Sequence, residues 1–245
     1  MMATNKTIPS LRLLKHAPFL LPVIRTLYGR KSQQLACKWM GLHFDSPVGV
    51  AAGVDRRGEY TDVIAQYSPA FIEIGPIRDI RYAIKNLQRR SESIVVLANL
   101  SNNKEIEQSF SLIYDFVDGF VLNVSQNSSV SKIIEHLLDL RRYNDQYKPI
   151  IFKLFPDLDG EQLDIVTAYM LGSGIDGVMV SAEFVDMIRD KTQGLLPVIA
   201  TAEISTPERA AQILDTGADL VALTNSPLHY GPAYVKKILK YLEKK

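Results

Sequence analysis

The sequence predicts a (β/α)8 barrel, a TIM barrel, with an N-terminal helical extension, and three observations carry that prediction. Eight short apolar runs recur between residue 46 and the C-terminal end. Most are continuous rather than alternating, as strands covered by helices on both faces are. The stretches between them have helical spacing, and strands alternating with helices over roughly 200 residues build a parallel sheet that closes into a barrel. An open doubly wound sheet shows the same alternation; closure is the expectation.

In chain order, residues 1–45 form the extension and residues 46–245 the barrel domain. Residues 17–27 are apolar, with Arg12, Lys15, Arg25, Arg30 and Lys31 in and around them. A spanning helix needs about 20 apolar residues, and Pro18, Pro22 and Arg25 interrupt this run. It also lacks the small-residue cleavage site of a secretory signal. Two readings remain for residues 11–27: a helix packed on the barrel, which is the default, or an amphipathic segment in peripheral contact with a membrane. Strands are predicted at 48–52, 71–75, 94–99, 119–124, 150–155, 177–181, 198–202 and 219–224. Helical spacing shows in Ile133, Ile134, Leu137, Leu138 and Leu140, and again in Ala210, Ala211, Ile213 and Leu214. Thr206-Pro207-Glu208 offers an N-cap, a first-turn proline and a first-turn acid, and Gly217 a stop. No internal repeat, low-complexity stretch or linker points to a second domain.

Composition narrows the function classes. Twenty-eight basic against twenty-seven acidic residues give a formal charge of +1, so no overall field draws nucleic acid and any anion site is local. The lone cysteine, Cys37, excludes an internal disulfide and a cysteine zinc cluster; with a reducing compartment this fits, and a cytoplasmic location is expected. His16, His43, His136 and His229 show no ligand spacing, so no metal is expected.

In a barrel of this kind, function sits at the C-terminal ends of the strands. The polar residues there are Asp55 and Arg56, Asn99, Asn123 and Ser125, Lys153, and Ser181. Lys153 lies in Ile-Ile-Phe-Lys-Leu-Phe-Pro, where an unpaired buried ammonium would cost several kcal/mol. It therefore meets an anion, a ligand or water at the rim; a strand-end lysine that simply reaches solvent is the plainer reading. Asn99 and Asn123 each close an apolar run, where a carboxamide bonds a planar heterocycle or caps a turn. Asp55 caps the helix through Tyr60 and Ile64, or takes part in catalysis.

The same residues carry a family resemblance. Ser46-Pro-Val-Gly-Val-Ala-Ala-Gly-Val-Asp-Arg-Arg-Gly-Glu59, Phe71-Ile-Glu-Ile-Gly75, Asn123-Val-Ser125, Lys153-Leu-Phe-Pro-Asp-Leu158, Ile175-Asp-Gly-Val178 and Gly231-Pro232 resemble, in order, the successive blocks of the dihydroorotate dehydrogenase family. Trp39-Met-Gly-Leu-His-Phe44 is similar to its lead-in. The nearest class is the quinone-linked, membrane-associated one. The resemblance implies FMN across the barrel mouth and a small-molecule substrate, dihydroorotate, oxidised to orotate in pyrimidine biosynthesis. It implies that Ala51, Ala52 and Gly53 let the backbone approach the flavin, and that Asn99 and Asn123 contact ring or substrate. Lys153 is implied at the ring edge, where positive charge favours reduced cofactor, and Ser181 as a further flavin contact. Arg56 takes the place of a lysine that touches flavin and substrate, with a larger planar fork.

Departures from the family pattern gather at the chemistry. The catalytic serine position holds Gln126, a carboxamide without useful basicity, so Ser125 or Ser128 serves as base only along a different loop path. Ala202-Glu203 replaces the Gly-Gly pair that receives the FMN phosphate, and a carboxylate there repels it. In Thr224-Asn225-Ser226-Pro227 the proline lacks an amide donor. Ala182 stands where a substrate asparagine is expected. FMN binding is therefore expected to be weakened and the active site degenerate. Two readings follow: a flavin oxidoreductase with a rearranged base, or a non-catalytic barrel that binds a ligand or protein partner.

Overall fold

The computed structural model describes residues 9–91, 94–100, 105–124, 130–155, 158–224, 231 and 233–245. After helices α1 (Pro9–Lys15) and α2 (Leu21–Tyr28) comes an antiparallel pair, β1 (Cys37–Trp39) and β2 (Leu42–Phe44). The barrel strands are β3 (Val48–Val50), β4 (Phe71–Ile77), β5 (Val95–Leu100), β6 (Gly119–Val124), β7 (Ile150–Leu154), β8 (Gly177–Ser181), β9 (Val198–Ala202) and β10 (Leu220–Leu223). They close in the order β10-β3-β4-β5-β6-β7-β8-β9, parallel throughout. The sheet is closed, not open. Between the strands lie α3 (Thr61–Ala65), α4 (Ile80–Leu87), α5 (Ile106–Ile113), α6 (Val130–Arg142), α7 (Gly160–Ser173), α8 (Val185–Lys191) and α9 (Pro207–Asp215), with α10 (Ala233–Leu242) last. Thr206 caps α9 by accepting the Arg209 N–H at 3.3 Å, as the Thr-Pro-Glu signature predicts.

Two buried clusters result from strands covered on both faces. The larger lies between strands and helices. The smaller fills the barrel with Ala51, Phe71, Leu97, Val121, Ile151, Met179, Ile199 and Leu220. Gly49 makes room for it: a Cβ there would sit 2.3 Å from the Phe71 ring.

The extension is not wholly helical. Its β1–β2 hairpin brings Trp39, Met40, Leu42 and Phe44 onto the interior cluster, with Phe44 edge-on to Phe71 at 5.8 Å, so it plugs the N-terminal end of the barrel. Upstream, Leu11, Leu14, Leu21, Ile24 and Tyr28 pack into the outer cluster. Lys15 pairs with Glu59 at 3.1 Å, Arg30 pairs with Glu243, and Lys236 donates to the Leu27 carbonyl at 2.7 Å. No described helix is long and apolar enough to cross a membrane.

The sequence shows no internal repeat, yet the strand starts do. Asp118, Asp176 and Asp219 each immediately precede a strand, and each carboxylate accepts an N–H from the first or second residue of the strand before, from Val96, Ile150 and Val198, all at 2.8 Å. Each aspartate returns its own N–H to the carbonyl of that same residue, at 2.8, 3.0 and 2.9 Å. Each also pairs with an arginine: Arg90 at 3.8 Å, Arg141 at 2.5 Å and Arg189 at 2.5 Å. In the first strand pair, Ala70 keeps the backbone bond to Val48 at 2.7 Å but has no carboxylate; there the Val48 N–H reaches Ser46 Oγ at 3.4 Å.

Candidate functional site

Side chains two residues apart on a strand share a face, so each inward apolar residue of the barrel core sets the next inward position towards the C-terminal end. Phe71 is followed by Glu73, Leu97 by Asn99, Val121 by Asn123, Ile151 by Lys153, Met179 by Ser181 and Ile199 by Thr201. The core therefore ends in a polar layer facing the barrel mouth.

Four neighbouring strands, β4 to β7, join in one network there. Glu73 is the hub, with a fully buried side chain. Its Oε1 accepts from Asn99 Nδ2 at 2.6 Å and its Oε2 from the Ala52 N–H at 2.8 Å. Lys153 Nζ donates to both oxygens at 2.9 Å. Asn99 and Asn123 exchange carboxamide bonds, at 3.3 Å from Asn99 Nδ2 to Asn123 Oδ1 and 3.1 Å in return. An ion pair of this depth persists only because further hydrogen bonds satisfy the carboxylate, since desolvating two charges costs several kcal/mol each. Among the described residues no buried side-chain nitrogen or oxygen lacks a partner. Lys153 meets an anion, one of the alternatives its sequence environment left open, and that anion is a side chain of this chain.

The backbone beside this hub is equally committed. The Ala51 N–H donates to Leu223 O at 3.0 Å and the Gly53 N–H to Gly75 O at 2.9 Å, while Ala52 serves Glu73. Gly53 sits at φ +100, and a Cβ there would touch nothing within 4 Å: the chain offers an open surface there rather than free donors. Asp55 is buried and accepts the N–H groups of Arg57 at 3.3 Å, Glu59 at 2.9 Å and Tyr60 at 2.9 Å, and the Thr61 hydroxyl at 3.2 Å. Burial pushes its carboxyl up from the ordinary range, and those bonds oppose the shift. This geometry organises the turn into α3, in keeping with a capping role.

The other expected residues are less gathered. Arg56 is exposed on the turn after β3, and Ser181 is half-buried opposite Thr201 in the β8–β9 ladder. Thr201 donates to Val180 O at 3.2 Å. Ala202 is half-buried and Glu203 exposed. Ser125, Gln126 and Ser128 lie outside the described residues, as do Asn225, Ser226 and Pro227. The open surface at Gly53, the half-buried Asn123 and the partly exposed Lys153 fit the ring of a flavin. The Glu203 carboxylate, in the place of a bare glycine amide, does not fit its phosphate.

Sequence reasoning passed over Glu73 and Thr201. The signal that finds them is the alternation itself, apolar then polar two residues on, repeated in six strands.

No protein-family model matches the chain. Its sequence is similar to quinone-type dihydroorotate dehydrogenases. That of Psychrobacter cryohalolentis is 22% identical over 302 residues, covering 89% of this chain and 87% of the relative. That of Roseiflexus sp. is 24% identical over 326 residues, covering 99% and 90%. That of Christiangramia forsetii is 25% identical over 300 residues, covering 90% and 88%. These alignments are longer than the 245 residues of this chain, so the relatives carry segments with no counterpart here. Among solved structures, the fold matches DHODH from Eimeria tenella in complex with ferulenol, with a TM-score of 0.75 at 18% identity over 97% of this chain and 92% of that one. The ligand-free form gives a TM-score of 0.77 at 18% identity over 94% and 93%.

Proposed function

Proceeding from that similarity to quinone-type dihydroorotate dehydrogenases, we propose that this chain is a flavin-holding barrel of the same type whose turnover on dihydroorotate is impaired. The observation that carries the reading is the polar layer: Asn99, Asn123 and Lys153, three residues that the resemblance assigns to the flavin, meet in a single hydrogen-bonded network. FMN, when bound, supplies the hydride acceptor as dihydroorotate becomes orotate. The chain supplies the rest. Ala51, Ala52 and Gly53 give a flat backbone approach, Asn123 and Lys153 present the polar edge, and Asn99 orients Asn123 from behind. Ser181 adds a hydroxyl from β8. Arg56, exposed on the turn after β3, carries the charge, and Asn123 the carboxamide, for a substrate carboxylate.

Impairment follows from two places. Gln126 at the base position has no useful basicity, which leaves Ser125 as the residue to take the neighbouring proton. Glu203 repels a phosphate and so weakens FMN. A second reading, a barrel that binds a ligand or protein partner without chemistry, is favoured by one feature: the acceptor positions of Glu73 are already filled from within the chain.

The extension completes the proposal. With Leu13, Phe19, Val23 and Leu27 exposed on α1, α2 and the turn between them, it lays a cytoplasmic protein against the inner face of the membrane without spanning it. No nucleic-acid partner is part of the reading.

Colour tests the proposal. Purified protein that is yellow, releases FMN on denaturation and forms orotate slowly bears it out. Protein that stays colourless after soaking in FMN and forms no orotate moves the reading to the non-catalytic barrel.

A further inference from the structure

We infer that the barrel itself carries a second membrane contact, the basic outer face of α4, and that its partner is an anionic bilayer. This rests on the reading above only in taking the protein to meet a membrane at all. It adds the side of the barrel that faces lipid and the charge of the lipid selected.

Residues 78–90 hold five cations, Arg78, Arg81, Lys85, Arg89 and Arg90, against one acid, Asp79, in a chain whose formal charge is only +1. Helical periodicity sorts them. Ala83 and Leu87 are buried, and Ile80 and Ile84 pack against the outer cluster. Arg81 and Lys85, four apart, therefore share the exposed side, and Arg89 continues their line. Arg90 turns to the Ile94 carbonyl at 3.0 Å. The nearby acids are already engaged: Asp79 accepts the Tyr82 N–H at 3.0 Å, and Asp62 of α3 accepts the Ser91 N–H at 3.1 Å. Among the described residues, none of Arg56, Arg78, Arg81, Lys85 and Arg89 forms an ion pair. Like charges four apart on a helix repel, and an anionic surface relieves them.

One chain of contacts leads from the extension to this face. Lys15 of α1 pairs with Glu59 at 3.1 Å and lies 5.5 Å over the Tyr60 ring. Glu59 also meets Arg57 at 3.7 Å, and the Arg57 guanidinium sits 5.4 Å over the Tyr82 ring of α4. The exposed apolar side chains of the extension and the cations of α4 thus border the same stretch of surface. A bilayer fits both: apolar side chains enter the headgroup boundary while cations meet anionic headgroups, the two signals that together give stable anchoring. Nucleic acid would use the cations and leave the apolar side chains idle. Arg56 and Arg78 follow the C-terminal ends of β3 and β4, so this face brings the rim of the mouth to the lipid.

The test uses the full chain and phosphatidylcholine vesicles with and without phosphatidylserine. Each cation near an anionic surface is worth about fivefold in partition. Arg81→Gln/Lys85→Gln/Arg89→Gln should therefore partition onto phosphatidylserine vesicles about a hundredfold more weakly than the parent protein at low salt, and the difference should shrink as salt rises. Arg142→Gln/Lys191→Gln/Arg209→Gln removes the same charge from α6, α8 and α9 and should stay within about twofold of the parent, because charges beyond a Debye length are screened. The α4 variant should melt with the parent protein. Should it melt lower, its three single substitutions take its place, each with a loss of about fivefold. Equal losses in the two triple variants, or none in the α4 variant, overturn the inference, as does parent protein that binds a single-stranded oligonucleotide in preference to the vesicles. Phe19→Ser separates this contact from that of the extension. A loss in Phe19→Ser without one in the α4 variant leaves the extension alone on the membrane and sinks the inference; a loss in the α4 variant without one in Phe19→Ser leaves the basic face standing and removes the apolar contact.

Discussion

Lys153 Nζ stands 2.9 Å from each carboxylate oxygen of Glu73, across two intervening strands of the barrel. The pair ties β4 to β7 through the interior, and Asn99 and Asn123 of β5 and β6 fill the gap between them. Removing one partner leaves a buried charge alone, which costs about 3–5 kcal/mol, whereas removing both often costs far less. Lys153→Met should therefore destabilise the protein by about 3–5 kcal/mol in urea denaturation, and Glu73→Gln/Lys153→Met by less than Lys153→Met alone. A coupling energy of about 1–3 kcal/mol is expected. Strictly additive single effects would mean that the pair is not a unit.

The repeated aspartates make a graded prediction. Asp176 and Arg141 are both nearly buried, with side chains 12% and 11% exposed and 2.5 Å apart, whereas Asp118 is 38% exposed and 3.8 Å from Arg90. Both carboxylates hold a strand-start N–H at 2.8 Å. Alanine at either position orphans that N–H, for about 1–3 kcal/mol. At position 176 it also strands a poorly solvated guanidinium, while the exposed pair at 118 adds about 0–1 kcal/mol. The order of denaturation midpoints should be parent, then Asp118→Ala, then Asp176→Ala as the least stable. Equal midpoints for the two variants would show that the N–H bond, not the ion pair, dominates, and a reversed order would refute the ranking.

How much of this was readable from the chain depends on what each residue does to the hydrophobic pattern. Strands buried on both faces leave continuous apolar runs, so all eight barrel strands stand within about two residues of their expected bounds. β1 and β2 are three residues long, too short to leave a period, and their plug was read as part of a helical extension. Glu73 went unread as a site residue because its partner Lys153 is 80 positions away; only the two-residue alternation places it inside. The Asp–Arg repeat escaped because its partners lie 35 residues apart in one instance and 30 in another, and no fixed spacing marks it. Lys153, Asn99 and Asn123 were legible because a polar residue closing a buried strand has few places to go. The base and phosphate turns rest on sequence alone, since residues 125–128 and 225–227 lie outside the described chain.

Cys37 offers a prediction in pH. Burial, with Asp219 adding to it, pushes its thiol up to about 11, against about 8.5 for an unperturbed cysteine. Only thiolate reacts with iodoacetamide. Alkylation of native protein should be slow at pH 8 and keep rising towards pH 11, while protein unfolded in urea should level off near pH 9–10. Because the folded state holds its proton more tightly, the associated stability is complete below about pH 8.5 and is lost as pH rises through about 11. A native alkylation profile that levels off below pH 9 would place the thiol in solvent instead.

The extension divides its apolar side chains between two tasks. Leu11, Leu14, Leu21, Ile24 and Tyr28 pack on the barrel, whereas Leu13 and Phe19 are 68% and 76% exposed, with Val23 and Leu27 also outward. Residues 19, 23 and 27 are four apart, so they lie along one helix face, and Arg12 and Arg25 are exposed on the same segment. An apolar stripe with flanking cations binds an anionic bilayer through buried area and charge together. Burying Phe19 alone is worth about 1.5–3 kcal/mol, so Phe19→Ser should lower the fraction that sediments with phosphatidylserine-containing vesicles about tenfold or more in partition. Serine at position 19 removes no contact with the barrel, and the melting temperature should stay unchanged. Neutral vesicles should bind the parent protein more weakly, and raised salt should loosen its hold on anionic ones. Equal sedimentation of parent protein and Phe19→Ser would remove the lipid from this account and leave the exposed stripe without a lipid role.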